Sequence, residues 1–307
     1  MNIFVTTGTQ KFQFDRLIEA VDKHALLHPE NSYFVQSGAS SYTPKSHMQC
    51  SDYLDRTAFR GKMDWADVII THGGAGAIIG ALKKGVPTVA VPRRSEYNEH
   101  VDNHQEEIVT AFEREGYLVG CYDLNHLDKD IDKACNMQMK RYVSHTKEFI
   151  EAMDVPEGKI CFASSSGGHT EQTLTLMNNM NREDSFLVTE KVDYDDSRKG
   201  KTHYLTQVNR KELGCIFKLA FNALVSLRIL VREKPDIIVT TGVLAVIPLC
   251  LLAKMLRKKL IYIESFADIT SPTLTGKLLY KYADRFYIQW EDLYAYYPKA
   301  EYIGSIY

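Results

Sequence analysis

Two glycine-rich stretches, one in each half of the chain, carry residue types that could bind a phosphate and activate a hydroxyl. The first reads THGGAGAI at 71–78. Gly73, Gly74 and Gly76 let the backbone approach an anion, and the helix that follows supplies N–H groups without partners. The spacing matches neither the GxGxxG of dinucleotide-binding domains nor a P-loop, which also needs a lysine. A diphosphate suits this turn; a turn that serves packing alone is the alternative.

The second stretch places a histidine next to a pair of glycines. It reads SSSGGHTE at 164–171, so His169 stands at the start of the next predicted helix. An imidazole titrates near neutral pH and can remove a proton from a hydroxyl as a general base. A structural or capping role for His169 is the alternative. Glu264 ends an apolar strand at the same predicted sheet edge, either as a functional carboxylate or as a neighbour of a helix N-cap.

Two further loops offer polar groups at the edge of the first predicted sheet. Thr7–Gln10 follows the first strand, and Gln10 after a glycine suits a phosphate or sugar, with a simple turn as the alternative. The stretch 92–105 reads PRRSEYNEHVDNHQ and carries the dense donors and acceptors that sugar hydroxyls need. Its two histidines and aspartate match no standard metal spacing, so no metal site is predicted. A solvated helix start is the alternative for this stretch.

These loops need a scaffold of alternating strands and helices, and the hydrophobic pattern supplies it twice. Strands are predicted at 2–6, 33–36, 67–71, 88–91 and 117–120, with helices at 14–27, 75–83, 101–114 and 127–153. The pattern starts again with a strand at 159–163 after a turn-rich joint at 154–158. This predicts an α/β fold of two Rossmann-like domains, 1–153 and 154–307, with parallel sheets and ligands at their carboxyl edges in a shared cleft. Met153 is consistent with a former start codon, and therefore with two subunits joined in one chain, naturally or by design.

Composition narrows the class of protein further. The chain has 307 residues, 45% hydrophobic and 25% charged, and a net charge of -2. These values are typical of a globular protein of two domains and give no reason to expect nucleic acid as a partner. The six cysteines show no zinc spacing and suit reduced thiols in the cytoplasm, and the amino terminus reads as a strand and not a signal peptide.

Two segments are apolar enough for contact with a membrane to be considered. Residues 237–256 are nearly long enough to span one, but a TTG turn and Pro248 interrupt them, which favours a strand, a turn and a core helix. The predicted helix 212–233 is apolar on more than one face, with a narrow polar stripe at Lys218, Asn222 and Ser226. Its excess apolar area could lie in a membrane interface or against a partner, or be plain core.

Taken together, the motifs resemble glycosyltransferase family 28. Residues 1 to about 150 are similar to the catalytic subunit of the two-subunit UDP-GlcNAc transferases of N-glycan assembly and to bacterial PssE-type subunits, through VTTGTQKFQFDRLI, THGGAGAIIGALKKGVPTVAVPR and NEHVDNHQ. Residues 159–307 are similar to the partner subunit, PssD-type in bacteria, through SSSGGHTEQTLTL, KPDIIVTTGVLAVIPLC, YIESFADITSPTLTGKLLY, ADRFYIQWEDL and YIGSIY.

The resemblance implies a GT-B enzyme that moves glucuronate, galactose or GlcNAc with inversion from a UDP-sugar to a polyprenyl-diphosphate-linked glycan. It implies polysaccharide biosynthesis, such as capsule or exopolysaccharide, without metal or cofactor, on the cytoplasmic face of a membrane reached through helix 212–233. His169 becomes the base, with Glu264 as a second catalytic candidate. Acceptor-side residues are Ser166, Gly167, Gly168 and Thr170. Donor-binding residues are Gly8, Thr9, Gln10, Phe59, Met63, His72, Gly73, Gly74, Ala75, Gly76, Arg93, Asn103, His104 and Gln105, with uracil held by a loop around 59–63.

The sequence departs from the family in two respects. The donor half comes first, which indicates a permuted fusion, and Gly80 stands where many relatives carry a glutamate that contacts ribose, so no ribose ligand is assigned. Arg93 and Arg94 could pair with a uronate carboxylate. The rival functions are a UDP-sugar epimerase of the same fold and a non-catalytic scaffold that recruits a partner to membranes. The oligomeric state, including a homodimer, is left open.

Overall fold

The computed structural model describes residues 1–165, 168–191, 200–209, 212 and 214–307. Backbone contacts divide the chain into two compact units, residues 1–143 and 144–307. The joint predicted at 154–158 therefore lies inside the second unit, because the helix Thr146–Ala152 packs there: the Thr146 hydroxyl donates to the Ile306 carbonyl at 2.6 Å. The boundary between donor and acceptor functions stays a prediction.

The first unit is a parallel sheet of six strands with helices on both faces. The strands are β1 (Asn2–Thr6), β2 (Ser32–Gln36), β3 (Gln49–Ser51), β4 (Val68–His72), β5 (Thr88–Val91) and β6 (Val119–Gly120). The helices are α1 (Asp15–Leu27), α2 (Arg56–Trp65), α3 (Ala75–Lys84), α4 (His104–Arg114) and α5 (Leu127–Asn136). The strand order is β3-β2-β1-β4-β5-β6. Because helices cover both faces, the central strands are largely buried and rich in Val and Ile.

The second unit repeats this architecture with a parallel sheet of seven strands in its described part. The strands are β7 (Ile160–Ala163), β8 (Ser185–Glu190), β9 (Thr202–Leu205), β10 (Ile237–Thr240), β11 (Lys259–Ile263), β12 (Arg285–Ile288) and β13 (Glu301–Tyr302). The helices are α6 (Thr146–Ala152), α7 (Gly168–Met180), α8 (Cys215–Glu233), α9 (Ile247–Met255) and α10 (Leu274–Leu279). The order is β13-β12-β11-β10-β7-β8-β9.

The predicted α/β class with two parallel Rossmann-like sheets is confirmed, and so is the interpretation of 237–256. That segment is β10, a short 3-10 turn at Leu244–Val246, and α9. Over the residues that the structure describes, no helix is long and apolar enough to cross a membrane. The stretch 127–153, predicted to be helical, is helical only in part: α5 ends at Asn136, Met137 is extended, and α6 begins at Thr146.

Each sheet has one point where the strand order reverses direction. In the first unit β1 lies between β2 and β4, so the chain builds the sheet outward from β1 on both sides. In the second unit β7 lies between β8 and β10 in the same way. Loops that leave the two central strands at such a point turn to opposite faces and open a crevice at the carboxyl edge, which is where ligands bind in these folds.

Candidate active site

The crevice of the first sheet is bordered by the glycine loops that follow β1 and β4. Gly8 follows β1 with φ +84°, a conformation that favours glycine. A Cβ on Gly8 would lie 2.6 Å from Cε1 of His72, and a Cβ on Gly74 would collide with Nε2 of the same ring. The His72 imidazole therefore separates the two loops, and each loop needs a glycine where it faces the ring.

His72 is an uncharged side chain at this edge. Burial lowers the pKa of His72 to about 3, and the nearby Arg93 guanidinium acts in the same direction. The ring therefore brings no positive charge to an anion at neutral pH. What remains for an anion is the start of α3, where Gly74 is the N-cap without a side-chain hydrogen bond and Ala75 and Gly76 form the first turn.

Arg93 was predicted to contact the donor directly, but its side chain binds backbone carbonyls of the protein instead. Its side chain is 1% exposed, and its guanidinium donates to the carbonyls of Phe12 and Glu99, each at 3.0 Å, and to that of Thr7. Burial lowers the pKa of Arg93 to about 10, with Glu99 opposing, so the group stays charged. Arg93 thus positions the loop that carries Gly8, which the sequence could not show because its acceptors are backbone atoms.

The polar stretch before α4 is held together by its own side chains. Asp102 Oδ1 accepts from Nδ1 of His100 at 3.2 Å and from Nδ1 of His104. Although partial burial raises the pKa of Asp102, these two hydrogen bonds and the charges of both rings hold it well below its usual range. Sugar contacts were predicted for the stretch 92–105 as a whole, and no sequence pattern indicated that Asp102 orients two histidines.

Asn103 and Gln105 also make contacts within the protein. Asn103 Oδ1 accepts from the Ser95 N–H at 2.8 Å, and Gln105 Oε1 accepts from the Arg93 N–H at 3.1 Å. A Cβ on Gly73 would lie 2.8 Å from Cβ of Gln105, so the glycine turn packs directly on α4. Thr9 and Gln10, by contrast, are exposed beyond β1.

The uracil loop predicted around 59–63 is wrong in its local structure. Phe59 and Met63 lie on the helix α2, which begins after Asp55, whose carboxylate accepts from the N–H groups of Thr57 and Ala58. Met63 is buried and Phe59 half-buried in a cluster on one face of the sheet, where the Phe59 and Phe4 rings meet edge-on at 5.4 Å. A Cβ on Gly80 would lie 3.3 Å from Met63 Cε. These side chains serve α2 packing.

At the second sheet, the predicted base lies beside the point where the strand order reverses. Nδ1 of His169 donates to the carbonyl of Thr241, the residue after β10, at 2.8 Å. A carbonyl only accepts, so this bond fixes the tautomer with the proton on Nδ1 and the lone pair on Nε2. Gly168 opens α7 and Thr170 is buried, donating to the Ser165 carbonyl. Ser166 and Gly167 lie outside the described residues.

Glu264 is not at a solvent edge: it contacts Thr273, the N-cap of α10, which fits the second interpretation of this residue, and its catalytic role stays a prediction. It is fully buried and accepts from the Tyr297 hydroxyl at 2.7 Å, the Thr273 hydroxyl at 2.8 Å and the Ser265 N–H at 3.0 Å. Burial raises the pKa of Glu264, and these hydrogen bonds oppose the rise. The carboxylate therefore links β11 to α10 and to the segment after β12. Two of its donors, Thr273 and Tyr297, are 9 and 33 residues away, so no local pattern revealed them.

The two units have the parallel α/β sheets and glycine-lined edges found in the class of GT-B glycosyltransferases. Residues 2–155 match the glycosyltransferase family 28 C-terminal domain, and residues 160–306 match the family described as oligosaccharide biosynthesis protein Alg14 like. The UDP-N-acetylglucosamine transferase subunit alg14 of Schizosaccharomyces pombe is 31% identical over 167 residues, covering 46% of this chain and 80% of that protein.

Two other proteins, one known by its sequence and one by its structure, are similar to this chain over different lengths. Mouse UDP-N-acetylglucosamine transferase subunit ALG13 is 32% identical over 127 residues, covering 38% of this chain and 10% of that protein. The UDP-GlcNAc 2-epimerase of Methanocaldococcus jannaschii aligns over 94% of this chain and 88% of its own at 11% identity, with a TM-score of 0.22 that supports no conclusion here. The chain belongs to glycosyltransferase family 28, joined to an Alg14-like second half, and is a glycosyltransferase.

Proposed function

We propose that the chain transfers a sugar from a UDP-sugar to a polyprenyl-diphosphate-linked glycan, with inversion at the sugar carbon. One observation carries the proposal. In each sheet, the loops predicted to be functional leave the two central strands at the point where the strand order reverses. In the first unit these are the loops with Gly8 and Gly74, and in the second those with His169 and Thr241. We assign the donor to the first unit and the acceptor to the second.

The donor's diphosphate would lie at the start of α3. Glycine at 73 and 74 permits close approach of the backbone, and the N–H groups at the start of α3 offer partial positive charge in place of a metal. The names of the relatives make UDP-GlcNAc the first donor to test, before UDP-galactose and UDP-glucuronate. Support for a uronate is weak, because Arg93 is occupied by carbonyls and Arg94 donates to the Tyr122 carbonyl and pairs with Glu96.

The reaction would be a direct displacement. Nε2 of His169 accepts the proton of the acceptor hydroxyl, and the hydroxyl oxygen attacks the anomeric carbon from the side opposite the diphosphate. The bond from that carbon to the diphosphate oxygen breaks, and UDP leaves with the electron pair. The α3 N–H groups stabilise the charge that develops on the leaving group.

Access to a lipid-borne acceptor would come through α8, on the cytoplasmic face of a membrane. This helix exposes several large apolar side chains and buries polar ones beside Ile229 and Leu230: Phe217 is 81% and Ile216 79% exposed, whereas Asn222 and Ser226 are buried. The Asn222 amide bonds both the N–H and the carbonyl of Thr206 at 2.9 Å, which explains its inward position. Exposed Arg228 and Arg232 suit anionic headgroups. Leu213, within the predicted 212–233, lies outside the described residues.

The test is UDP release with and without a synthetic polyprenyl-diphosphate-linked GlcNAc acceptor, for each of the three UDP-sugars. We expect one donor to release UDP at least ~100-fold faster when the acceptor is present, since hydrolysis alone lacks the oriented nucleophile. A changed sugar without acceptor would favour the epimerase. No calorimetric binding of UDP at all would favour the membrane-recruiting scaffold.

A further inference from the structure

Away from the glycine loops, the first unit gathers two histidines and an aspartate where two helices meet. His24 is in the last turn of α1 and His28 directly follows that helix, while Asp128 is in the first turn of α5. One nitrogen of each ring and one carboxylate oxygen all lie within 4.8 Å of one another. The His24 and His28 rings stack with centroids 4.4 Å apart. This end of α1 leads into β2, so the cluster lies at the amino edge of the sheet, opposite the glycine loops.

The spacing fits a tetrahedral metal ion. Two ligands about 2.1 Å from zinc at the tetrahedral angle lie roughly 3.4 Å apart. Nε2 of His24 and Oδ1 of Asp128 are 3.4 Å apart. The His28 N–H donates to the His24 carbonyl at 3.0 Å, so the end of α1 brings both rings to the same side, where they stack. The His28 and Asp128 side chains are partly exposed, so both can adjust to an ion and leave room for water.

Groups around the cluster orient the two rings. The Tyr33 hydroxyl bonds Nδ1 of His24 at 2.7 Å and thereby turns Nε2 toward Asp128. Glu30 Oε1 lies 3.3 Å from Nδ1 of His28. Outer hydrogen bonds of this kind are what fix the tautomer and direction of metal-binding histidines.

We propose that His24, His28 and Asp128 form a binding site for a divalent transition metal, with zinc as the first ion to test. Two imidazoles with one carboxylate favour zinc, cobalt and nickel over magnesium and calcium, which prefer oxygen ligands. The ion would fasten the end of α1 to the start of α5 and so stabilise the first unit. It takes no part in sugar transfer.

The experiment uses the full chain, freed of metal with a chelator, and cobalt as a spectroscopic probe beside zinc. We expect zinc at about 100 times its Kd to raise Tm by about 5 °C. Cobalt should give visible absorption typical of nitrogen and oxygen ligands. His28→Ala and Asp128→Asn should each weaken binding roughly tenfold or more. Both side chains are partly exposed, so both variants should fold.

Two controls separate this site from other histidines. His126→Ala removes an exposed histidine near the same helix and should bind zinc as the wild type does. His104→Ala tests the group of His100, Asp102 and His104 at the opposite edge. Binding that survives both His28→Ala and Asp128→Asn, or that is lost with His104→Ala, would overturn the proposal. So would a preference for magnesium over zinc.

Discussion

At the scale of single residues, backbone carbonyls decide what two charged or titratable side chains can do. The carbonyl of Thr241 fixes His169 as the tautomer whose lone pair is on Nε2. Three carbonyls hold the guanidinium of Arg93, which turns a residue of the predicted donor site into a positioning residue for the loop after β1. In both cases the side chain was visible in the sequence and its partner was a main-chain atom.

Replacement of His169 tests its role as the base. His169→Ala should lower kcat at least ~100-fold, because the acceptor hydroxyl then loses the group that takes its proton. Binding of the UDP-sugar, measured by calorimetry, should stay within about twofold, since His169 belongs to the unit assigned to the acceptor. Wild-type turnover in this variant would remove His169 from the mechanism, and His126→Ala serves as the matched control.

How well the role of a residue could be predicted depends on how far along the chain its partners lie. The glycine turns and His169 are local motifs next to strands, so the sequence sufficed to place them at sheet edges. Glu264 also follows a strand, so its local sequence predicted a place at a sheet edge. Thr273 and Tyr297, which come later in the chain, hydrogen-bond to it and help to bury it. Phe59 and Met63 were misplaced because α2 was not predicted, although Asp55 supplies an N-cap that could have revealed it.

At the scale of elements, α8 departs from the usual amphipathic pattern, because it buries polar residues beside Ile229 and Leu230. Its buried face includes Asn222, Ser226 and Glu233, whereas much of its exposed face is apolar. The periodicity predicted the helix but not which side faces the protein, because Thr206 and the lysines that pair with Glu233 come from elsewhere in the chain.

Replacing exposed apolar residues of α8 should release the protein from membranes. Phe217→Ser with Leu224→Ser should reduce sedimentation with vesicles of phosphatidylcholine and phosphatidylglycerol more than tenfold, since each side chain inserted contributes about 1.5–3 kcal/mol. Tm should hardly change, because both side chains are exposed. Leu27→Ser, at an equally exposed leucine of the first unit, is the control. Undiminished sedimentation of the double variant would contradict the role of α8.

The end of α8 is held by a cluster of charged side chains whose contribution to stability should fall at acid pH. Glu233 accepts from Lys201 at 2.5 Å and Lys159 at 3.3 Å, and His203 lies 3.1 Å away. The hydrogen bond from Lys201, with that from Lys159, lowers the pKa of Glu233 to about 2, although burial opposes it. A carboxyl whose folded pKa is depressed contributes stability above its unfolded value and loses it as pH falls toward the folded value.

Glu233→Gln should therefore lose roughly 1–3 kcal/mol of unfolding free energy at pH 7, as expected for a buried charged hydrogen bond. The deficit should shrink as the pH falls from about 4.5 to about 2. Urea unfolding at several pH values measures it. Glu151→Gln, on an exposed glutamate of α6, should match the wild type throughout. A deficit that is constant with pH would mean that the ionic cluster does not hold α8.

At the scale of the whole molecule, two parallel sheets repeat one plan. In each, the chain builds outward from a central strand in both directions, and glycine-containing loops follow the strands beside the reversal. The alternation of strands and helices predicted both sheets, and the repeated strand-to-glycine pattern predicted their edges. β3 was not predicted, because a strand of three residues is too short for its periodicity to be detected, and β6 has only two residues of the predicted strand 117–120.

Calorimetric titration of UDP tests most directly whether the glycine-lined edge of the first unit binds the nucleotide diphosphate. We compare the wild type with Gly74→Ala, whose new Cβ would collide with His72, and with Gly61→Ala, whose Cβ would meet nothing within 4 Å. Circular dichroism checks that all three are folded. The account predicts that Gly74→Ala binds UDP at least ~30-fold more weakly, as expected for loss of two or more anion-directed hydrogen bonds, while Gly61→Ala binds normally. Equal affinity in all three folded proteins would contradict it.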